Sequence, residues 1–402
     1  MREDFRRAAE DIAREVLAQA SYARDGSIYW LQPAPRQGRR QGPPRLLDSF
    51  LYPGALGIAL FFALTARILD LPEYRCLALE VVAPLRRELR QMIEEPGRAQ
   101  SARGPVGGLK GLGSLVYGLV RLGDVLDEPV LWDDALEITT FLTSERISDA
   151  QSWEVMTGTA GALLALLALH HRRAAANRNH DLPLDLALVA ADHLVRNRSS
   201  WTGQDSGFNP PAIGFCHGTA GVVCALARLA KETGRSDLEE AARAGWSYVE
   251  AFYDPRSAGW RLAGDTGSAG SSWCNGATGV LLGALTGLFD GATRLESPVA
   301  DALLRLQTSA LEQKDHLCCG AMGRVDALVH ASVQFQDADL LAAASFVAKS
   351  VLTRAREEGS YRLMFYPEDL VDLRLFPGLT GVGYAFLRLI APDRAPCLLA
   401  LA

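Results

Sequence analysis

Two adjacent cysteines stand directly before a glycine pair in the stretch Cys318-Cys319-Gly320-Ala321-Met322-Gly323. Thiolates are good zinc ligands and, where their pKa is low, good nucleophiles. Two other stretches place a thiol or an imidazole before the same glycine spacing: Cys274 lies two residues before Gly276, and His217 lies immediately before Gly218. This pattern indicates a site assembled from equivalent positions of a repeated unit.

A catalytic zinc ion usually has three protein ligands and an open fourth position. Cys274, Cys318 and Cys319 would supply three thiolates, so we predict a single zinc ion per chain. Two alternatives stay open. One is a structural zinc site that Cys216 closes as the fourth ligand, and the other is a group of buried thiols without a metal.

Composition excludes several classes of protein. The net charge is −6 and there is no long basic stripe, which argues against nucleic-acid binding. Seven cysteines, an odd number, in a chain whose charged N-terminal stretch is unlike a signal peptide favour reduced thiols over a disulfide framework. Because no apolar run reaches the roughly 18 residues of a membrane span, we expect no such span and a cytoplasmic protein.

A small residue, two intervening positions and a second small residue, followed by an apolar run, occur seven times. The copies are Gly54–Gly57, Gly111–Ser114, Gly158–Gly161, Gly218–Gly221, Gly276–Gly279, Gly320–Gly323 and Gly378–Gly381. They recur every 44 to 60 residues, about the length of two helices with their connections. The runs after the glycines are apolar on all sides, which predicts buried inner helices, and the amphipathic segments between them predict outer helices.

Seven inner and seven outer helices predict an all-α fold, an α/α toroid whose inner helices form a closed ring around a central cavity. An open solenoid would normally end in polar capping repeats, but the last unit, 376–386, is as apolar as the others. We predict one domain over residues 1–402. Residues 1–49 would hold an N-terminal outer helix (3–22) and a Pro- and Arg-rich loop (32–45) without regular structure, and residues 50–402 seven helical hairpins.

Residues just before the inner helices would face one mouth of the ring. A helix N-terminus favours anions and lowers thiol pKa values. His217, Cys274 and Cys319 belong to the fourth, fifth and sixth copies, which are neighbours around such a ring. We therefore expect their side chains to lie close together.

With these motifs the chain resembles the lanthionine synthetase C-like (LanC-like) cyclases, most closely the cyclase domain of class II LanM lanthipeptide synthetases with the Cys-Cys-Gly zinc motif. The resemblance covers almost the whole chain. It is carried by Trp30-Leu31, Leu51–Phe61, His217–Gly221, Phe252–Pro255, Ser272–Gly276, Leu317–Gly320 and Leu375–Gly381.

The resemblance implies a zinc enzyme that adds peptide cysteine thiols to dehydroalanine or dehydrobutyrine of the same peptide. Cys274, Cys318 and Cys319 then match the zinc ligands, and His217 is the candidate acid that protonates the α-carbon. Glu154 stands where the family has Asp, and it would orient His217, assist proton transfer or merely be a rim charge. Asn275, where other cyclases have Tyr or His, receives no role.

The resemblance also implies partners: a dehydrated precursor peptide and a dehydratase, either separate or fused. A rival function is a non-catalytic LanC-like zinc protein that binds glutathione or a protein partner. A zinc prenyltransferase is a second rival, disfavoured by seven rather than six hairpins. We further expect His170, His171 and His330 to be surface or packing groups, and the arginines of residues 36–45 to be solvated or to contact the peptide.

Overall fold

Seven helices form an inner ring, and each begins at the residue after the first glycine of one repeat. The computed structural model describes residues 2–32, 36–37, 40–41, 45–95, 104–175, 182–203, 212–261, 270–289, 297–364 and 371–402. The inner helices are α2 (Ala55–Leu69), α4 (Leu112–Leu126), α7 (Thr159–Ala175), α10 (Thr219–Thr233), α12 (Ala277–Gly287), α14 (Ala321–Phe335) and α16 (Leu379–Ile390). They are almost entirely buried, as predicted from their uniformly apolar sequences.

Seven further helices surround this ring. They are α1 (Arg2–Ala18), α3 (Glu73–Glu94), α5 (Pro129–Thr139), α8 (Leu182–Arg196), α11 (Ser236–Glu250), α13 (Ser297–Thr308) and α15 (Ala338–Glu358). Six of them pack on the inner helix that precedes them in the chain. The exception is α1, which packs on α16 at the opposite end of the chain, with Phe5 stacked on Phe386 at a centroid distance of 5.3 Å.

Each inner helix packs against the next, and α16 packs against α2. The ring is therefore closed, and the predicted α/α toroid with seven inner and seven outer helices is confirmed. Among the described residues, none of the helices combines the length and the apolar character needed to cross a bilayer.

The small residues that begin the inner helices allow neighbouring loops to approach closely. A Cβ atom on Gly279 would lie 2.0 Å from the carbonyl oxygen of Trp273, and one on Gly161 would lie 2.3 Å from the Gly108 nitrogen. Both distances are shorter than real contacts of a Cβ atom, so neither position could carry a side chain unless its neighbours moved. The second small residue of the repeat is thus required by packing rather than by backbone conformation.

Short elements complete the described part of the chain. Two brief helices, α6 (Ser144–Ser148) and α9 (Arg198–Trp201), lie between ring helices. Antiparallel strand pairs are β1 (Ser21–Tyr22) with β2 (Ile28–Tyr29), β3 (Leu31–Gln32) with β6 (Arg45–Leu46), β4 (Arg36–Gln37) with β5 (Arg40–Gln41), and β7 (Tyr253–Asp254) with β8 (Gly259–Trp260). The expectation of no regular structure over residues 32–45 is thus wrong, because described residues of this segment form two-residue strand pairs. The first helix ends at Ala18 rather than at residue 22.

The C-terminal residues enter the interior of the ring, where a central cavity was expected. Leu398–Ala400 form a 3₁₀ turn, and Leu398 to Leu401 are completely buried. Trp273 donates its indole N–H to the Leu399 carbonyl oxygen at 2.9 Å, and Arg228 Nη1 donates to the Leu401 carbonyl oxygen at 3.1 Å. The tail therefore ties together loops and helices from different sides of the ring.

Candidate metal centre

Three thiols meet at one mouth of the ring. The Sγ atoms of Cys274 and Cys318 are 2.8 Å apart, those of Cys318 and Cys319 are 3.2 Å apart, and all three lie within 4.8 Å of one another. Zinc–sulfur bonds of about 2.3 Å hold tetrahedral sulfur ligands about 3.8 Å apart, so small outward movements of these side chains would accommodate the ion. Cys318 is fully buried and Cys319 is partly exposed, which leaves one side of the cluster open.

Backbone hydrogen bonds between neighbouring repeats place these loops side by side. The Trp273 N–H donates to the Cys318 carbonyl oxygen at 3.1 Å, and the Cys318 N–H donates to the Phe376 carbonyl oxygen at 2.9 Å. On the other side, the His217 N–H donates to the Cys274 carbonyl oxygen at 3.4 Å. The loops thus follow the order of the inner helices, as the predicted register requires.

The thiols shift one another's pKa values in opposite directions. Hydrogen bonds from Cys274 and Cys318 lower the pKa of Cys319 to about 3, whereas hydrogen bonding with Cys274 and Cys319, with burial, raises the pKa of Cys318. The pKa of Cys274 is also raised, mainly through its contact with Cys216. Only Cys319 of the three thiols therefore has a lowered pKa, and its main cause is the two neighbouring thiols rather than the expected helix N-terminus.

A stack of four aromatic rings lies beneath the thiols. Phe215 stacks on Trp273 at 6.0 Å, Trp273 on Phe376 at 5.5 Å, and Phe376 on Tyr52 at 5.0 Å between centroids. Each ring comes from a loop that leads into an inner helix. The Tyr52 hydroxyl donates a hydrogen bond to Cys318 Sγ at 3.3 Å. The stack therefore supports the loops that carry the cysteines and presents a donor to one of them.

His217 and Glu154 form a pair beside the thiols. His217 Nδ1 lies 2.9 Å from Glu154 Oε2, and a ring nitrogen of His217 lies within 4.8 Å of the Cys274 Sγ. The His217 side chain is 43% exposed and the Glu154 side chain only 13%. An accessible imidazole held by a nearly buried carboxylate is an arrangement suited to proton transfer.

Glu154 is held by several other donors. Its carboxylate accepts hydrogen bonds from the Met156 N–H at 3.0 Å and from the Thr157 N–H and hydroxyl at 2.6 Å each. Burial alone would raise the Glu154 pKa, but the hydrogen bonds from His217 and Thr157 outweigh it and the net shift is downward. The carboxylate is therefore an anion at neutral pH, and the His217 ring nitrogen that faces it carries the hydrogen.

Cys216 belongs to a second group of donor atoms rather than to the three-thiol cluster. Its Sγ, a ring nitrogen of His217 and the Cys274 Sγ lie within 4.8 Å of one another. Cys216 is completely buried, and burial raises its pKa to about 11. Among the described residues, Cys216 is not grouped with both Cys318 and Cys319, which gives no support to a four-cysteine structural site.

Sequence reasoning assigned no role to two residues in contact with the cluster. Tyr52 lies two residues before Gly54, the same offset as Cys274 from Gly276, and this spacing could have identified it. His316 is buried, and its Nδ1 accepts a hydrogen bond from the Cys319 N–H at 3.3 Å. Asn275 Oδ1 is buried and has no hydrogen-bond partner in the described part of the chain.

The remaining sequence predictions concern residues away from the thiols. His170 and His171 both contact the Glu232 carboxylate, at 3.1 and 2.9 Å. His330 is largely enclosed, and burial lowers its pKa to about 3. These positions agree with packing and surface roles. Of the arginines considered as a peptide contact, Arg39 lies outside the described residues, and Arg45 is exposed in β6.

The fold and the site together define a closed toroid of helical hairpins with a three-thiol cluster at one mouth. The model of the family described as lanthionine synthetase C-like protein matches residues 46–400, and the chain belongs to this family. A solved structure of nisin cyclase is similar in fold, with a TM-score of 0.62 and 13% sequence identity over 88% of this chain and 92% of that chain. No curated protein sequence matches the chain.

Proposed function

We propose that the protein is a zinc-dependent lanthipeptide cyclase that closes lanthionine and methyllanthionine rings. The reaction would be the intramolecular addition of peptide cysteine thiols to dehydroalanine or dehydrobutyrine. The observation that carries this proposal is the convergence of three thiols with the His217–Glu154 pair, in a member of the lanthionine synthetase C-like family.

Cys274, Cys318 and Cys319 would hold one zinc ion, and the all-thiol donor set suits zinc. When bound, zinc supplies a Lewis acid that favours the thiolate form of a substrate cysteine. The partly exposed Cys319 marks the side from which a peptide would approach. The buried Cys274 and Cys318 would fix the position of the site relative to the aromatic stack.

His217 would provide the proton that completes the addition. A new carbon–sulfur bond forms at the β-carbon, the double-bond electrons move to the α-carbon, and a proton must then bind there. Because Glu154 holds Nδ1 of His217, the other ring nitrogen would take up the proton that the substrate thiol loses on becoming a thiolate, and would then deliver it to the α-carbon. Glu154 is a positioning residue in this scheme, since it acts through the imidazole.

The substrate would be a precursor peptide already dehydrated by a separate or fused dehydratase, in the cytoplasm. The Cys-Cys-Gly sequence at Cys318-Cys319-Gly320 supports a relationship to the cyclase domains of class II LanM synthetases rather than to cyclases with Cys-His-Gly. Three thiolates would donate more charge to the zinc ion than two thiolates and an imidazole. A substrate thiolate at the all-cysteine site would therefore be more nucleophilic than one at a site with an imidazole ligand.

The proposal is tested by incubating the zinc-loaded protein with a dehydrated peptide that contains one cysteine. Cyclisation leaves the peptide mass unchanged but removes its free thiol, so resistance to alkylation by a maleimide reports the product. We expect full protection by the wild-type protein and a loss of roughly 10²- to 10⁴-fold in rate for His217→Gln. Binding of the peptide or of glutathione without thiol consumption would support the non-catalytic alternative instead.

A further inference from the structure

Cys274 has donor atoms on two sides. Cys318 and Cys319 lie on one side, and Cys216 and His217 lie on the other, in a group whose donor atoms are within 4.8 Å of one another. The proposed function uses only the first group as ligands. We propose that Cys216, His217 and Cys274 form a second site for zinc or another thiophilic divalent ion, with the Cys274 sulfur shared between the two ions.

The donor set fits such an ion. Two sulfurs and an imidazole nitrogen are ligands that zinc accepts, at bond lengths of about 2.3 Å to sulfur and 2.0–2.1 Å to nitrogen. Ligand atoms of a tetrahedral zinc ion lie up to about 3.8 Å from one another. Donor atoms that are within 4.8 Å of one another therefore need to approach by only about 1 Å. A thiolate sulfur has several lone pairs, which allows the one from Cys274 to bridge two ions.

The surroundings of His217 also resemble those of a metal-binding histidine. Such histidines usually have their second ring nitrogen bonded to a carboxylate or carbonyl group, which fixes the orientation of the ring. Glu154 Oε2 bonds Nδ1 of His217 at 2.9 Å, and the carboxylate is itself held by Thr157. In this proposal the ion binds the ring nitrogen of His217 that does not face Glu154.

Backbone hydrogen bonds hold the three ligands in register. The His217 N–H donates to the Cys274 carbonyl oxygen, and the Cys216 carbonyl oxygen accepts from the Val155 N–H at 3.1 Å. Cys216 is buried, whereas the His217 side chain is 43% exposed. An ion would therefore enter from the side of the exposed imidazole.

The second ion would inhibit the proposed reaction. It would occupy the His217 nitrogen that the proposed mechanism uses to deliver a proton, and it would draw charge from the Cys274 thiolate. Cyclisation should therefore require one ion and slow down when a second one binds. This consequence rests on the proposed function. The binding of the second ion does not, and it can be measured whether or not the protein is a cyclase.

The experiment is an equilibrium dialysis of the full chain against increasing free Zn²⁺, followed by elemental analysis of the protein. We expect one ion per wild-type chain at low zinc and two at high zinc, with the rate of peptide cyclisation falling at least tenfold over the second step. Cys216→Ser and His217→Gln should each stop at one ion. Cys76→Ser, which removes an exposed thiol elsewhere, should still bind two.

His217→Gln changes an exposed side chain and keeps the test valid if Cys216→Ser fails to fold. A wild-type protein that stops at one ion overturns the second site and leaves the proposed function intact. Two ions in both His217→Gln and Cys216→Ser also overturn it. Undiminished cyclisation with two ions bound overturns the inhibition and leaves the second site in place. A wild-type protein that binds no zinc removes the metal centre of the proposed function as well.

Discussion

At the scale of single residues, Glu154 connects the loop before α7 to His217, the candidate acid. It accepts hydrogen bonds from His217 and from the backbone of its own loop, which lies beside the Cys216 loop through the bond between the Val155 N–H and the Cys216 carbonyl oxygen. Glu154 immediately precedes Val155 and His217 immediately follows Cys216, so this bond brings the two side chains close together. The Glu154 side chain therefore combines a structural role in the loop with the orientation of an imidazole.

Replacing Glu154 with Gln should separate these two roles. We expect the rate of cyclisation to fall at least about tenfold, because orientation of a catalytic imidazole by a carboxylate is worth up to roughly 10⁴-fold. The zinc content should stay at the wild-type value, because Glu154 is not among the three thiol ligands. Glu154→Asp is the matched control and should restore part of the rate. An unchanged rate in Glu154→Gln would contradict the positioning role.

The lowered pKa of Glu154 predicts a pH-dependent contribution to stability. A carboxyl group whose pKa is lower in the folded protein stabilises it above the unfolded-state pKa, and this stabilisation is lost as the pH falls through the folded-state pKa. The difference in free energy of unfolding between wild type and Glu154→Gln, measured by urea denaturation of the zinc-free proteins, should thus be largest near neutral pH and shrink below about pH 4.5. A difference that stays constant with pH would argue against a stabilising carboxylate.

At the scale of elements, the small residues at the start of each inner helix set the spacing between neighbouring loops. Gly279 is the clearest case, since any side chain would meet the Trp273 carbonyl oxygen and the Phe215 nitrogen. Trp273 directly precedes Cys274 in the chain. The packing at this helix start and the position of a candidate ligand are therefore coupled.

Gly279→Ala should lower the free energy of unfolding by roughly 1–3 kcal/mol and weaken zinc binding, because the Trp273 loop must move to admit the methyl group. Gly259→Ala is the matched control. A Cβ atom there would have its nearest neighbour at 3.7 Å, so its effect should stay within about 0.5 kcal/mol. Thermal or urea unfolding and a zinc competition titration give both quantities. Equal effects of the two substitutions would contradict the coupling.

The glycine pattern predicted all seven inner helices because each helix begins directly after a glycine, which is a local signal. Gly54 has an extended backbone, and Gly111 has a φ of 129°. The three thiols lie close together for the same reason, since their register follows from the helix starts. Tyr52 was overlooked because an aromatic residue in an apolar motif usually signals core packing. The short strand pairs within residues 31–46 were missed because their hydrogen bonds join segments whose composition is typical of loops.

At the scale of the whole molecule, both ends of the chain close the structure. The N-terminal helix α1 supplies the outer partner of α16, and the C-terminal tail fills the interior beneath the aromatic stack. Neither contact has a local sequence signal, because each joins residues more than 100 positions apart in the chain. The repeat pattern therefore predicts the closed ring of helices. It does not predict the long-range contacts of α1 and of the C-terminal tail.

Phe5→Ala should destabilise the protein by about 3–5 kcal/mol, because Phe5 is buried against Phe386 at the closure of the ring. Phe346→Ala is the matched control, because it makes the same substitution at a residue that is 71% exposed on α15. Its free energy of unfolding should change little. Differential scanning calorimetry of both variants checks the comparison. A Phe5→Ala protein as stable as Phe346→Ala would mean that α1 is not needed to close the ring.

The most direct test of the account measures zinc and thiol consumption together. Elemental analysis and the maleimide assay would be applied to the wild-type protein, to Cys319→Ala, and to Cys76→Ser as a control that loses an exposed thiol outside the cluster. At low free zinc we predict about one ion per chain and loss of the peptide thiol for wild type and Cys76→Ser, and the loss of both in Cys319→Ala. Thiol consumption that persists in a zinc-free Cys319→Ala protein would contradict the account.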